Sequence, residues 1–275
     1  MSLAALFPGA KSATRSLAAA LLGLALGGCA GTPTAPIAEA RRALAPSGKL
    51  RVAFLVAPLY ATKDPASGEL KGVAVDLGKE LATRLGVPFE PTGHPNLPAV
   101  IRGAQAGEWD VALMGINAER AEVMDFSAPY MDVEQGYLVR AGVPIAAASD
   151  VDKAGTRVGV IEKSGADLHL SRTLKNATLV RSNLNEIVSQ LAAGKLEVVA
   201  ATKAALFSAS AKQPGSRVLD GRLLVEPIGM GVPKGRDAAA ARFVGQFVEE
   251  AKAQGLVKAA IERAGLRGVS VAPPR

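Results

Sequence analysis

Apolar positions along the chain fall into short runs with two alternating periods. Leu50 to Val56 is mostly apolar without polar alternation, the pattern of a strand buried on both faces of a parallel sheet. A loop from Ala57 to Gly68 carries Tyr60, and Gly68 to Gly72 makes a turn. Leu77, Leu81 and Leu85 then recur at i, i+4 and i+8, which predicts a helix opened by Asp76 and stopped by Gly86. A short strand at Pro88–Glu90, a helix from about Pro98 to Gly107 and a strand over Trp109–Met114 complete a β-α-β-α-β series. Short loops between parallel strands require helices packed on the sheet.

The alternation returns further on. Gln135–Val139 predicts a strand, followed by strand Arg157–Ile161, a helix from Ser164 to about Leu174 and strand Thr178–Val180. Leu184, Ile187, Val188 and Leu191 share one face of a helix that stops at Gly194. Strand Leu196–Ala201, a helix near Ala204–Ser210 and a strand through Leu224–Gly229 follow. Helices over Ala238–Ala253 and Leu256–Ala264 carry an apolar seam of Phe243, Phe247 and Ala251, and the tail from Gly265 to Arg275 is expected to fray or dock loosely. A chain of 275 residues, 49% of them hydrophobic, suits one large or two modest globular domains.

Candidate chemistry centres on the turn after the third strand. Gly115 lets the backbone turn or approach a ligand closely. Asn117 can cap the helical turn begun by Ala118-Glu119-Arg120. Free N–H groups and a planar guanidinium at one strand end form a place to hold an anion. A guanidinium turned into an internal ion pair would argue against this. The net charge of +7 is scattered, with no basic run and no basic–aromatic interleaving, so no nucleic-acid partner is expected. A single cysteine cannot form an internal disulfide, and it lies too far from His94 and His169 for a metal cluster or a Cys-His pair; no metal, cofactor or catalytic residue is expected.

Asn117-Ala118-Glu119-Arg120 followed by Asp125-Phe126-Ser127-Ala128-Pro129-Tyr130 resembles the signature of the family 3 extracellular solute-binding proteins, the receptors of ABC importers for polar amino acids. Gly72-Val73-Ala74-Val75-Asp76-Leu77 and Ile228-Gly229-Met230-Gly231-Val232-Pro233 are similar to other segments of that family, and the likeness covers roughly Leu50 to Leu256. The resemblance implies an α/β, periplasmic binding protein type II-like fold: two α/β lobes joined by two hinge strands, with lobe 1 at 49–138 and 226–275 and lobe 2 at 139–225. It implies that Arg120 clamps a ligand carboxylate, helped by Asn117, the Gly115 backbone and Ser164 at a helix start of the second lobe. Where the family places an aspartate for the ligand ammonium, this chain has Thr202, followed by Lys203. Thr cannot balance a buried ammonium, and Glu197 belongs to the strand, so the solute is expected to carry a carboxylate, an amino acid or a related organic acid, with a small organic acid or an amide-bearing metabolite fitting better than a standard α-amino acid. Where the family stacks aromatics on the ligand, the chain has Pro58 and Leu97, leaving Tyr60 as the nearby ring. An inner-membrane ABC permease and a monomeric receptor follow from the resemblance. The alternative on the same fold is a cyclohexadienyl dehydratase-like enzyme, for which Glu162, Asp167 and Lys203 are the acid–base candidates.

Lys11 and Arg15 precede a short apolar run from Leu17 to Leu26, which predicts a signal peptide over residues 1–28. Leu26-Gly27-Gly28-Cys29 resembles a bacterial lipobox. Cys29 is then the lipidation site, 29–48 a membrane tether, and the location the periplasm; Ala30 rather than Asp after the cysteine points to the outer membrane.

Overall fold

Two sets of parallel strands are joined edge to edge by two long antiparallel ones. The computed structural model describes residues 35–275, beginning with helix α1 (Ala35–Leu44) and strand β1 (Leu50–Leu55). A hairpin of β2 (Thr62–Lys63) and β3 (Leu70–Lys71) leads to α2 (Val73–Leu85), β4 (Phe89–His94), α3 (Leu97–Ala106) and β5 (Val111–Gly115). The one-turn α4 (Ala118–Ala121) and β6 (Met124–Phe126) precede the long β7 (Met131–Val139). There follow β8 (Arg157–Ile161), α5 (Gly165–Thr173), β9 (Thr178–Ser182), α6 (Leu184–Ala192), β10 (Val198–Thr202), α7 (Lys203–Ser210) and β11 (Arg217–Val218). The second long strand, β12 (Leu224–Pro233), is followed by α8 (Ala238–Ala253), α9 (Leu256–Arg263) and β13 (Val269–Val271).

Strands β4, β1 and β5 are parallel and adjacent, as are β10, β8 and β9. Between them, β12 runs antiparallel to β5 through Ile228–Gly231 and to β7 through Leu224–Ile228. β7 in turn pairs antiparallel with β10 through Gln135–Val139. The result is two α/β lobes that share β7 and β12. The boundaries expected at 138/139 and 225/226 fall inside those two strands.

The helices bury the faces their periodicity assigns. Leu77, Leu81 and Leu85 of α2 are buried, and Gly86, left-handed at φ 66°, closes the helix by donating to the carbonyls of Ala82 and Thr83. The helix starts at Val73, three residues before Asp76. Gly72 makes this possible, because a Cβ there would lie 2.5 Å from the Tyr60 carbonyl oxygen. β4 extends beyond the expected Pro88–Glu90, pairing with β1 from Leu50↔Phe89 to Leu55↔His94.

Two expectations fail at the chain ends. Residues 35–44, read as part of a tether, form α1, which packs against α8 with Ala40 and Leu44 buried and Arg41 Nε donating to Leu85 O at 2.8 Å. An apolar edge spaced at i and i+4 is enough to dock it. The tail does not fray: β13 pairs antiparallel with β7 at Met131–Val133, and Ala272 N donates to Tyr130 O at 3.1 Å. The signal segment and Cys29 lie outside the described residues.

Asp110, fully buried just before β5, ties these layers together. It accepts from Arg51 Nη2 at 2.8 Å, Arg51 Nε at 3.0 Å and Arg236 Nη2 at 2.8 Å, and Arg236 also reaches Ala43 O of α1. Removing a buried carboxylate leaves its cations unpaired. Asp110→Ala should therefore lose about 3–5 kcal/mol of stability in urea unfolding; a loss below about 1 kcal/mol would show the cluster to be ordinary surface pairing.

Candidate functional site

β5 ends at Gly115, and the chain turns at once into α4. Asn117 caps this turn, its Oδ1 accepting from Arg120 N at 2.9 Å. The single turn folds Arg120 back beneath the strand ends, where it is 2% exposed. Its Nη1 donates to Gly115 O at 2.7 Å, and its Nη2 donates to Lys163 O, just before α5, at 2.9 Å. One guanidinium thus bonds backbone on both lobes.

The guanidinium does not face an open cleft as expected. Its Nη1 also meets the Glu226 carboxylate at 3.4 Å, an internal ion pair. Glu226 lies on β12, is 8% exposed, and receives a hydrogen bond from Gln135 Nε2 on β7. Two glycines make room for this carboxylate: a Cβ at Gly115 would lie 2.0 Å from Oε1, and one at Gly165, the first residue of α5, 2.9 Å from Oε2. Burial raises the Glu226 pKa above its ordinary value, with Arg120 and Gln135 opposing.

Sequence reasoning missed Glu226 and Gln135. The available signal was a lone carboxylate inside the apolar run from Leu223 to Val232, where a charge on a buried strand needs a partner.

The other expected site residues gather around the pair. Tyr60 is buried beside it; burial raises its phenol pKa first and the Glu226 charge adds to this, while Arg120 and the Gly115 backbone oppose. Ser164 is buried and caps α5, its Oγ accepting from Asp167 N at 3.2 Å. Thr202 caps α7, its Oγ1 accepting from Ala205 N at 3.4 Å, and sits opposite Gln135 in the β10–β7 ladder. Lys163, the only non-glycine residue with positive φ among those described, stands at φ 61° before Ser164, and its Nζ reaches Glu119 of α4 at 2.9 Å. A cavity of about 590 Å³ is lined by Pro58, Gly72, Asp76, Ala204, Phe207 and Arg267, and by none of the expected site residues.

Of the acid–base candidates of the enzymatic alternative, Asp167 stands beside the site at the start of α5, accepting from Lys163 N at 2.9 Å. Glu162 is exposed, Asp167 is paired with Arg181 at 2.8 Å, and Lys203 is paired with Glu134 at 2.7 Å. Among the described residues, no cluster of His, Cys, Asp or Glu is arranged to hold a metal.

The sign of the Glu226 effect on stability follows from its raised pKa. The folded chain holds this proton more tightly than the unfolded chain, so stability from this group is full below the ordinary value near 4.5 and is lost as pH rises through the raised value. Relative to Glu226→Gln, the native protein should gain stability as pH falls through that window, measured by urea unfolding at several pH values. An unchanged difference would show that Glu226 titrates normally.

Comparison with known proteins agrees with this architecture. The model of bacterial extracellular solute-binding proteins, family 3, matches residues 50–264. An ABC transporter glutamine-binding protein of Bacillus subtilis is 27% identical over 191 residues, covering 66% of this chain and 68% of that protein. A crystal structure of a mutant arginine-binding protein from T. maritima superimposes with a TM-score of 0.72 at 27% identity, covering 84% of this chain and 99% of the other. An ancestral amino-acid-binding protein, described as a precursor of cyclohexadienyl dehydratase, gives 0.68 at 26% identity over 79% of this chain and 96% of its own. The fold is that of the type II periplasmic amino-acid-binding proteins. With two lobes sharing β7 and β12, and with the family's pattern matched from the first buried strand to the last helix, the chain belongs to the family 3 bacterial extracellular solute-binding proteins.

Proposed function

We propose that this protein is the receptor of an ABC importer and takes a small carboxylate-bearing solute, an amino acid or a related organic acid, between its lobes. The family match over residues 50–264 carries this reading; Arg120, bonded to Gly115 O and Lys163 O, is paired with Glu226, and a ligand carboxylate has to displace that contact. A planar five-donor cation held between two lobes is suited to clamp a carboxylate and to register lobe closure. The glutamine- and arginine-binding relatives support an amino-acid-sized solute. Binding without turnover is favoured, since Glu162 is exposed and Asp167 and Lys203 are each held in an ion pair.

In this reading the receptor works as a monomer in the periplasm, needs no cofactor, and passes its solute to an inner-membrane permease. Lobe 1 comprises residues 49–138 and 226–275, and lobe 2 residues 139–225. The Cys29 thiol carries a lipid anchor in the outer membrane. Cys29→Ser should move the protein from the membrane to the soluble periplasmic fraction; unchanged fractionation would remove the anchor.

Ligand binding is tested by thermal shift against a panel of amino acids and small organic acids. A ligand at about 100 times its dissociation constant adds roughly 2.7 kcal/mol of stability. Arg120→Ala alone would strand a buried carboxylate, so the informative variant is the double Arg120→Met, Glu226→Gln. It should stay folded and lose the shift; retained binding would place the solute elsewhere.

A further inference from the structure

We propose that the cavity between α7 and the turn joining α9 to β13 is a second binding site, which takes an organic monoanion with an apolar body and sets its carboxylate on Arg267. The site does not depend on the receptor reading, because none of the residues expected around Arg120 lines this cavity.

Charge is the first argument. Lys71, Arg263 and Arg267 line the cavity, and two of these cations are already answered. Arg263 donates to Asp76 Oδ2 through Nε at 3.1 Å and Nη2 at 2.7 Å, and Lys71 Nζ lies 3.4 Å from Asp64 and 3.8 Å from Glu69. Among the described residues, Arg267 meets no carboxylate; its guanidinium lies over the Phe207 ring of α7, 3.5 Å from the centroid. One positive charge is left over, which a monoanion neutralises. Geometry is the second argument. Stacking uses a face of the guanidinium and leaves its in-plane N–H donors for an acceptor such as a carboxylate. The backbone that carries Arg267 is fixed on both sides. α9 ends at Arg263, and Gly268 O accepts from Glu134 N of β7 at 2.8 Å. Gly268 packs so closely on α7 that a Cβ there would lie 2.6 Å from Lys203 Cβ. Shape is the third. The volume of about 590 Å³ falls in the range of small-molecule sites, about 300–1,000 Å³. Pro58, Ala204, Ala260 and Leu266 add an apolar lining, which an inorganic ion would leave uncovered and the body of an organic acid would bury.

The test is isothermal titration of the intact protein with octanoate, 4-phenylbutanoate and 2-naphthoate, each compared with its neutral primary amide. At least one acid should bind about tenfold or more tightly than its amide; Arg267 is exposed, so the larger factor of a buried pair is not expected. Arg267→Gln should bring that acid to within about threefold of its amide and leave the amide itself unchanged. The variant changes an exposed side chain, and an unaltered melting temperature checks that it is folded. Native protein that binds none of the acids, or binds each no better than its amide, overturns the inference whatever the variant does. A preference for the acid that survives intact in Arg267→Gln places the anion elsewhere in the molecule and overturns it too. Each of these results leaves the receptor reading standing, since that reading is decided at Arg120.

Discussion

A carboxylate placed in the middle of a sheet has to be met by a cation, and that requirement organises the centre of this molecule. Glu226 is out of water on β12, and the guanidinium that answers it comes from a helical turn after a different strand. Everything between them is shaped to allow the meeting. Residues 115 and 165 have no side chain because the carboxylate occupies the space a Cβ would need. Gln135 Nε2 donates to Glu226 Oε2, and the carbonyls of Gly115 and Lys163 accept from Nη1 and Nη2 of Arg120. Breaking such a pair by removing one partner costs far more than the pair contributes as a unit, so these positions are tied to one another.

Local structure and site chemistry draw on the same residues. Asn117, Ser164 and Thr202 each satisfy the first turn of a helix with a side-chain oxygen, and each stands beside the Arg120–Glu226 region. A capping oxygen already engaged has less capacity for a ligand. For Asn117 the amide nitrogen is left over as a donor.

Much of this was legible along the chain. The spacing of Leu77, Leu81 and Leu85 gave α2 and its glycine stop, and the Asn117–Arg120 and Asp125–Tyr130 segments carried the family likeness that placed Arg120 between two lobes. What escaped is long-range. Glu226 is one residue in a strand, and its partner stands 106 positions earlier, so no local period relates them. The first helix and the last strand were missed for a related reason: neither has the composition of a buried element, and each is held by surfaces the rest of the chain provides.

The strand added by the tail has a mechanical meaning. Along one flank of β7, the partner changes from β13, at Met131–Val133, to β10, at Gln135–Val139. Glu134 sits at the changeover, its amide on Gly268 O and its carboxylate on Lys203. On the other flank β12 pairs across this changeover, with Val225 opposite Glu134, so β7 is held on one side where its partner changes on the other, one residue before the amide that donates to Glu226.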